Sequence, residues 1–219
     1  MSRRLLALIV VASAIVAWQA QASDAAAIAR QGNGRGAAPC IACHGVDGAG
    51  QEQAGNPRLA GLDAAYLEKQ LDDFADGTRG SAVMQPTAIA LSADERHALA
   101  VYYSKLPLPP ALARPANPIP PADSPGATLA VRGNWDRNIP GCVQCHGPAG
   151  VGVGAHFPPL AGQPAAYLAA QLRAWQQGTR HNDPLQLMQH LSAALSAQDI
   201  EAVSAWFAAQ PLPAAGTRP

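Results

Sequence analysis

Apolar residues recur at helical spacing in several separated stretches of this chain, and most of these stretches carry a start or stop signal. Between Ala64 and Ala75, Tyr66, Leu67, Leu71 and Phe74 fall on one face of a predicted helix. Asp63 stands at its capping position and Gly77 at its stop. Ser92-Ala93-Asp94-Glu95 forms a capping box that opens a helix with Leu99, Tyr102, Tyr103 and Leu106 on its apolar side. Ser23 and Asp24 can cap a shorter helix through Arg30, ended by Gly32, Gly34 and Gly36. A loop is expected to carry Met84. No stretch reads as a strand series, so the expected class is all-α.

The pattern then repeats. Leu59 to Arg79 aligns with Leu160 to Arg180 at 12 of 21 identical positions. Tyr66 meets Tyr167, Leu71 meets Leu172, Phe74 meets Trp175, and Gly77-Thr78-Arg79 meets Gly178-Thr179-Arg180. After a three-residue insertion the register resumes, pairing Met84 with Met188, Leu91-Ser92 with Leu195-Ser196, and Tyr102-Tyr103 with Trp206-Phe207. Ser196-Ala197-Gln198-Asp199 is a weaker version of the same helix start. Identity over so long a register indicates a duplicated domain. Eight prolines lie between positions 107 and 125, a density that excludes both helix and central strand. The expected division is therefore residues 23–106, a semi-rigid extended linker at 107–126, and residues 127–219.

The first residues read as an export signal. Arg3 and Arg4 precede an uncharged, mostly apolar run from Leu5 to Trp18, and Ala20-Gln21-Ala22 matches the A-x-A cleavage pattern. The rival is a retained anchor, but that run has fourteen residues where a spanning helix needs about 18 or more. Cleavage after Ala22 is the expectation. The chain carries no formal net charge, and losing Arg3 and Arg4 leaves it near −2. Nothing in this balance forms the basic stripe of a nucleic-acid binder.

The chemistry lies in one pentapeptide and its copy, Cys40-Ile41-Ala42-Cys43-His44 and Cys142-Val143-Gln144-Cys145-His146, which use all four cysteines of the chain. C-x-x-C-H is the attachment signature of c-type haem. Two thiols one helical turn apart can each add to a vinyl group of one porphyrin, and the following histidine reaches the iron from the proximal side. Four cysteines could instead form disulfides in three connectivities, or a thioredoxin-like pair, though no βαβ setting is visible. A zinc site would leave the histidine after both pairs a coincidence. Aromatics are only 5% of the chain, thin for two small cores, and two haems would supply the missing apolar bulk.

Each iron then needs a second axial ligand. Apart from the initiator, the chain has only Met84 and Met188, 40 and 42 residues after the two histidines and at matching places in the repeat. Core filler is the bland role of a methionine, but equivalent positions in both halves favour axial ligation, the Met/His pattern of cytochromes c. His190 is the alternative to Met188, whereas His97, His156 and His181 have no repeat partner and are expected at the surface. Ligating histidines commonly donate their other ring nitrogen to an acceptor, and the carbonyls of Pro57 and Pro158 are the candidates. Tyr66 and Tyr167 are candidates either for a haem edge or for plain core. Arg79 and Arg180 are candidates either to neutralise haem propionates or to be solvated. The glycine-rich run Gly45 to Gly50 lacks the strand and the G-K-[ST] of a phosphate loop. Backbone passing close to a haem edge is its expected reason.

Two C-x-x-C-H motifs, each followed by P-x-L or P-P-L, then Y-L-x-x-Q-L, G-T-R and a methionine seven residues before L-S, resemble the cytochrome c4 family of dihaem cytochromes. The likeness runs from Ala25 to Pro211. The proline-heavy junction and the insertion before Met188 depart from it. The resemblance implies two tandem class I cytochrome c domains, each wrapped around one covalently bound haem. It implies periplasmic electron carriers, often membrane-associated. Their partners would be quinol-oxidising complexes or dehydrogenases as donors, and terminal oxidases or other acceptors. Similar chains also serve as cytochrome subunits of flavocytochrome-type dehydrogenases. With both sixth positions filled, no small-molecule substrate and no catalysis are expected. A dihaem enzyme with one open haem would need a vacant, histidine-switchable or thiolate-ligated iron, and no cysteine is spare.

Overall fold

A computed structural model of the protein describes residues 25–108 and 121–212. The export segment, the caps at Ser23 and Asp24, and most of the proline run lie outside them. The first half runs through α1 (25–31), α2 (Ile41–His44), α3 (Ala64–Asp76), α4 (Met84–Ile89) and α5 (Ala93–Lys105). The second half repeats it with α6 (Pro125–Val131), α7 (Val143–His146), α8 (Ala165–Gln176), α9 (Leu187–Ala193) and α10 (Ala197–Ala208).

The caps explain most of the boundaries. The Tyr66 N–H donates to Asp63 Oδ1 at 3.0 Å, and Gly77 ends α3 in the left-handed region at φ 85°. Both halves of the box at Ser92 and Glu95 are formed. The version at Ser196 is as complete, because the Asp199 carboxylate returns to the Ser196 N–H at 2.8 Å. Helix α8 starts instead after Pro164, with no side-chain cap.

Three local expectations change. Met84 does not sit in a loop: it is the first residue of α4, its N–H held at 3.1 Å by Ser81 Oγ. Pro125 belongs to a helix although it closes the proline run. It occupies the first turn, where a missing N–H costs no intrahelical bond, and Ser124 caps the Ala127 N–H behind it. A two-stranded antiparallel ribbon, β1 (Gly133–Asn134) with β2 (Ile139–Pro140), folds back across residues 135–137. Two residues a strand is too short for any alternation to register.

Each half has its own core. In the first, Ala25, Ile28 and Ala29 of α1 pack with Leu67 of α3 and Leu99, Ala100 and Tyr103 of α5. In the second, Ala127, Leu129 and Ala130 of α6 pack with Leu168 of α8 and Val203, Trp206 and Phe207 of α10. The duplicated aromatic pairs keep one geometry. Tyr102 and Tyr103 meet edge to face at 5.1 Å, Trp206 and Phe207 at 4.9 Å. Helix α6 lies directly on α10, where a Cβ on Gly126 would come within 2.2 Å of the Ala202 carbonyl oxygen.

The halves are joined by a short antiparallel bridge between Arg79 and Arg180. The Gly80 N–H donates to Thr179 O at 2.7 Å, and the His181 N–H donates to Thr78 O at 2.9 Å. The Gly-Thr-Arg repeats thus meet each other about a local pseudo-two-fold axis.

Gly126→Ala forces α6 off α10 and is expected to destabilise the second domain by about 1–3 kcal/mol. A thermal melt should show a lower midpoint for that domain, and an unchanged midpoint would mean the crossing has slack.

Candidate haem sites

Both pentapeptides form one tight helical turn. The His44 N–H donates to Cys40 O and the His146 N–H to Cys142 O, each at 2.9 Å, so both thiols and the imidazole of a motif lie within a single turn. His44 and His146 are each only 7% exposed. Burial pulls both imidazoles below their usual range, which keeps them neutral. His44 Nδ1 lies 2.9 Å from Pro57 O, and His146 Nδ1 lies 2.8 Å from Pro158 O. A carbonyl only accepts, so Nδ1 carries the proton and Nε2 keeps its lone pair for a metal.

The glycines after each motif make this possible. A Cβ on Gly50 would stand 2.6 Å from Arg58 N and from Asn56 O; on Gly152 it would stand 2.7 Å from the Pro159 ring. The close approach is to the chain's own returning segment, which brings the proline carbonyl over the imidazole. Gly50 N–H to His44 O and Gly152 N–H to His146 O, at 2.9 and 2.7 Å, tie the crossing.

The methionines head the next layer. Helix α4 with Met84 packs on α3, and α9 with Met188 packs on α8; both methionines are half-buried. The supports differ. Ser81 holds the Met84 N–H, whereas the Asp183 carboxylate, from the three-residue insertion, holds that of Met188. His190 is exposed, with Nδ1 2.7 Å from the Gln186 carbonyl in its own turn. His97, His156 and His181 are exposed as well.

Arg79 and Arg180 are not solvated: each is 5% exposed at the junction of the halves. Arg79 lies over the Phe74 ring at 4.4 Å and Arg180 over the Trp175 ring at 3.9 Å. Arg79 donates to Gln70 Oε1 (2.9 Å), Gln171 Oε1 (2.7 Å) and the Tyr167 hydroxyl (2.9 Å). Arg180 donates to Gln171 (2.9 Å) and Gln70 (3.1 Å), and the Tyr66 phenol lies beside it. Tyr66 and Tyr167 therefore serve the junction with their hydroxyls while their rings pack on the two cores. Burial first, and then the facing charge of Arg79, pull Arg180 down to about 10. Among the described residues neither guanidinium forms an ion pair with a carboxylate.

The residues present fit haem. Thiols and a neutral, oriented imidazole share one turn in each half. Among the described residues the two buried cations lack a carboxylate ion pair, Asp73 acting on Arg79 only at longer range, and an anionic group at the junction would relieve their burial. Trp175 Nε1 is a buried donor with no partner among the described residues. The zinc alternative fits less well. No group of three or more His, Cys, Asp or Glu converges among the described residues.

Sequence reasoning missed Gln70, Gln171, Gln163, Asn182 and Asp183. Gln70 and Gln171 were signalled as a matched pair in the repeat. Asn182 came with the insertion, and reaches Gln70 Oε1 (3.0 Å) and Asp73 Oδ2 (2.6 Å) across the junction.

The cytochrome c family profile matches residues 29–106 and 126–210. A thiosulfate dehydrogenase electron acceptor from Stutzerimonas stutzeri (strain A1501) is 52% identical over 199 residues, 90% of this chain and 91% of that protein. Among solved structures, thiosulfate dehydrogenase (TsdBA) from Marichromatium purpuratum aligns with a TM-score of 0.78 at 44% identity. That likeness covers 89% of this chain but only 41% of the other. Reduced cytochrome c4 from Pseudomonas stutzeri aligns with a TM-score of 0.67 at 36% identity, over 78% of this chain and 93% of the other.

Replacing Cys142 and Cys145 together by alanine is expected to leave one covalently bound haem in the chain. Mass spectrometry of the denatured protein reads this as the loss of one haem mass, and retention of two covalent haems would refute the attachment sites.

Proposed function

The chain belongs to the cytochrome c family, with one such domain in each half, and from that premise we propose that it accepts electrons from a thiosulfate dehydrogenase in the periplasm. At the coarser level it is a dihaem c-type cytochrome and an electron carrier, with two covalently attached haem c groups. When bound, haem iron supplies one-electron exchange between ferric and ferrous states.

In this proposal the axial pairs are His44 with Met84 and His146 with Met188. Pro57 and Pro158 fix the proximal rings, which agrees with the 2.9 and 2.8 Å contacts. A thioether sulfur favours ferrous iron and so keeps the potential high enough to receive electrons from a dehydrogenase. With both axial positions filled, the chain acts as a carrier and not as a catalyst. Arg79 and Arg180 offset propionate charge at the junction, where Tyr66 and Tyr167 lie beside them. Val46 and Val83, near His44 and Met84 in sequence, are 78% and 65% exposed and offer apolar surface for transient contact. The domain limits stay at 23–106 and 127–219, apart from the start of α6 at Pro125.

Export rests on the leader pattern at residues 1–22 and on c-type attachment. No described helix is long and apolar enough to cross a membrane, and any membrane association in this proposal is peripheral. The observation that carries the choice of donor is the near full-length likeness to a thiosulfate dehydrogenase electron acceptor. A terminal oxidase or another redox protein then takes the electrons onward.

Stopped-flow mixing of the oxidised holoprotein with a thiosulfate dehydrogenase and thiosulfate tests the proposal. Reduction of both haems, saturating with carrier concentration, is expected; no reduction would remove this donor. Met84→Ala or Met188→Ala should turn the affected centre high-spin and lower its potential in an optical redox titration. If neither change disturbs either centre, the ligand assignment is wrong.

A further inference from the structure

One peptide unit connects the second domain to the proximal histidine of the first. The carbonyl of that unit is Pro57 O, which accepts from His44 Nδ1 at 2.9 Å. The amide at its other end is the Arg58 N–H, which donates to Gln163 Oε1 at 3.0 Å. Gln163 Nε2 closes the pair by donating to Arg58 O, also at 3.0 Å. Gln163 is 3% exposed and Arg58 is 0% exposed, so water does not compete for these bonds. The Arg58 guanidinium reinforces the seam, donating to Ala60 O at 2.6 Å and reaching Ala161 O at 3.4 Å.

The second half has no such arrangement. Gln163 aligns with Leu62, whose side chain offers neither donor nor acceptor, and Arg58 aligns with Pro159, which has no N–H. The duplication is therefore broken at this one support of the proximal ring, while the Pro158 carbonyl still meets His146.

We propose that Gln163 is a positioning residue for the first haem: through the Pro57–Arg58 peptide it sets the strength of the His44 Nδ1–H to carbonyl bond, and so makes the potential of the first iron depend on docking of the second domain. A peptide is planar and conjugated. A hydrogen bond donated by its N–H pushes electron density toward its oxygen and makes that oxygen a better acceptor. A better acceptor draws the His44 proton outward, gives the imidazole more anionic character and favours the ferric state. The bidentate amide also fixes the plane of the peptide, and with it the direction of the carbonyl.

The inference rests on His44 being the proximal ligand, and the test separates the two. Gln163→Leu installs the side chain found at the equivalent place in the first half and removes both bonds. In an optical redox titration of the full holoprotein, the first centre is expected to rise in potential. The ferrous-to-ferric ratio at a given ambient potential should change by up to about tenfold, ~59 mV for a one-electron couple. The second centre should stay where it was. Gln163→Glu keeps an acceptor, now anionic, on the Arg58 N–H, and should move the first centre the opposite way. Loosened docking alone would move both centres together, and that result, or no movement of either, overturns the proposal. If the unaltered protein lacks two low-spin, methionine-ligated haems, the ligand assignment fails instead of the clamp.

Discussion

Each half is organised around a buried, neutral imidazole whose N–H is taken by a backbone carbonyl. Burial by itself would leave such a ring free to turn and its proton uncommitted. The carbonyl of Pro57 or Pro158 decides both, and leaves one lone pair facing away. To bring that carbonyl into place the chain must cross itself within ordinary contact distance. Gly50 and Gly152 sit at the crossings, and a side chain at either would collide with backbone or with a proline ring. The helices around them, α5 on α3 and α1 in one half, α10 on α8 and α6 in the other, are the wall that keeps the crossing dry.

Duplication gives the chain two such centres, and the junction between them is polar and charged. Two arginines face each other there, stacked on Phe74 and Trp175 and braced by Gln70 and Gln171, each of which serves both. Like charges at close quarters in a buried setting are unfavourable unless anions answer them. Haem propionates would be anions of the required kind, as the proposed function has it.

The symmetry is local and incomplete. Gln163 against Leu62, Arg58 against Pro159, Asp183 against Ser81, and a three-residue insertion that lets Asn182 reach Asp73 all distinguish the second half from the first. The two C-x-x-C-H turns therefore sit in different surroundings although the repeat supplies the same residue types to each.

Much of this was legible in the chain itself. The C-x-x-C-H spacing, the pairing of the two methionines and the register of the repeat are facts of residue type at fixed separations along the chain. The caps at Asp63, Ser92 and Ser196 are local for the same reason: a side chain two or three residues away satisfies the first free N–H of a helix. The burial of Arg79 and Arg180, the use of glycine for a self-crossing, and the reach of Gln163 over 105 residues to Arg58 were not legible. Each depends on which surfaces meet once two domains have docked. A charged or amide side chain reads the same in sequence whether water or another domain completes its hydrogen bonds, and only the tertiary structure decides which.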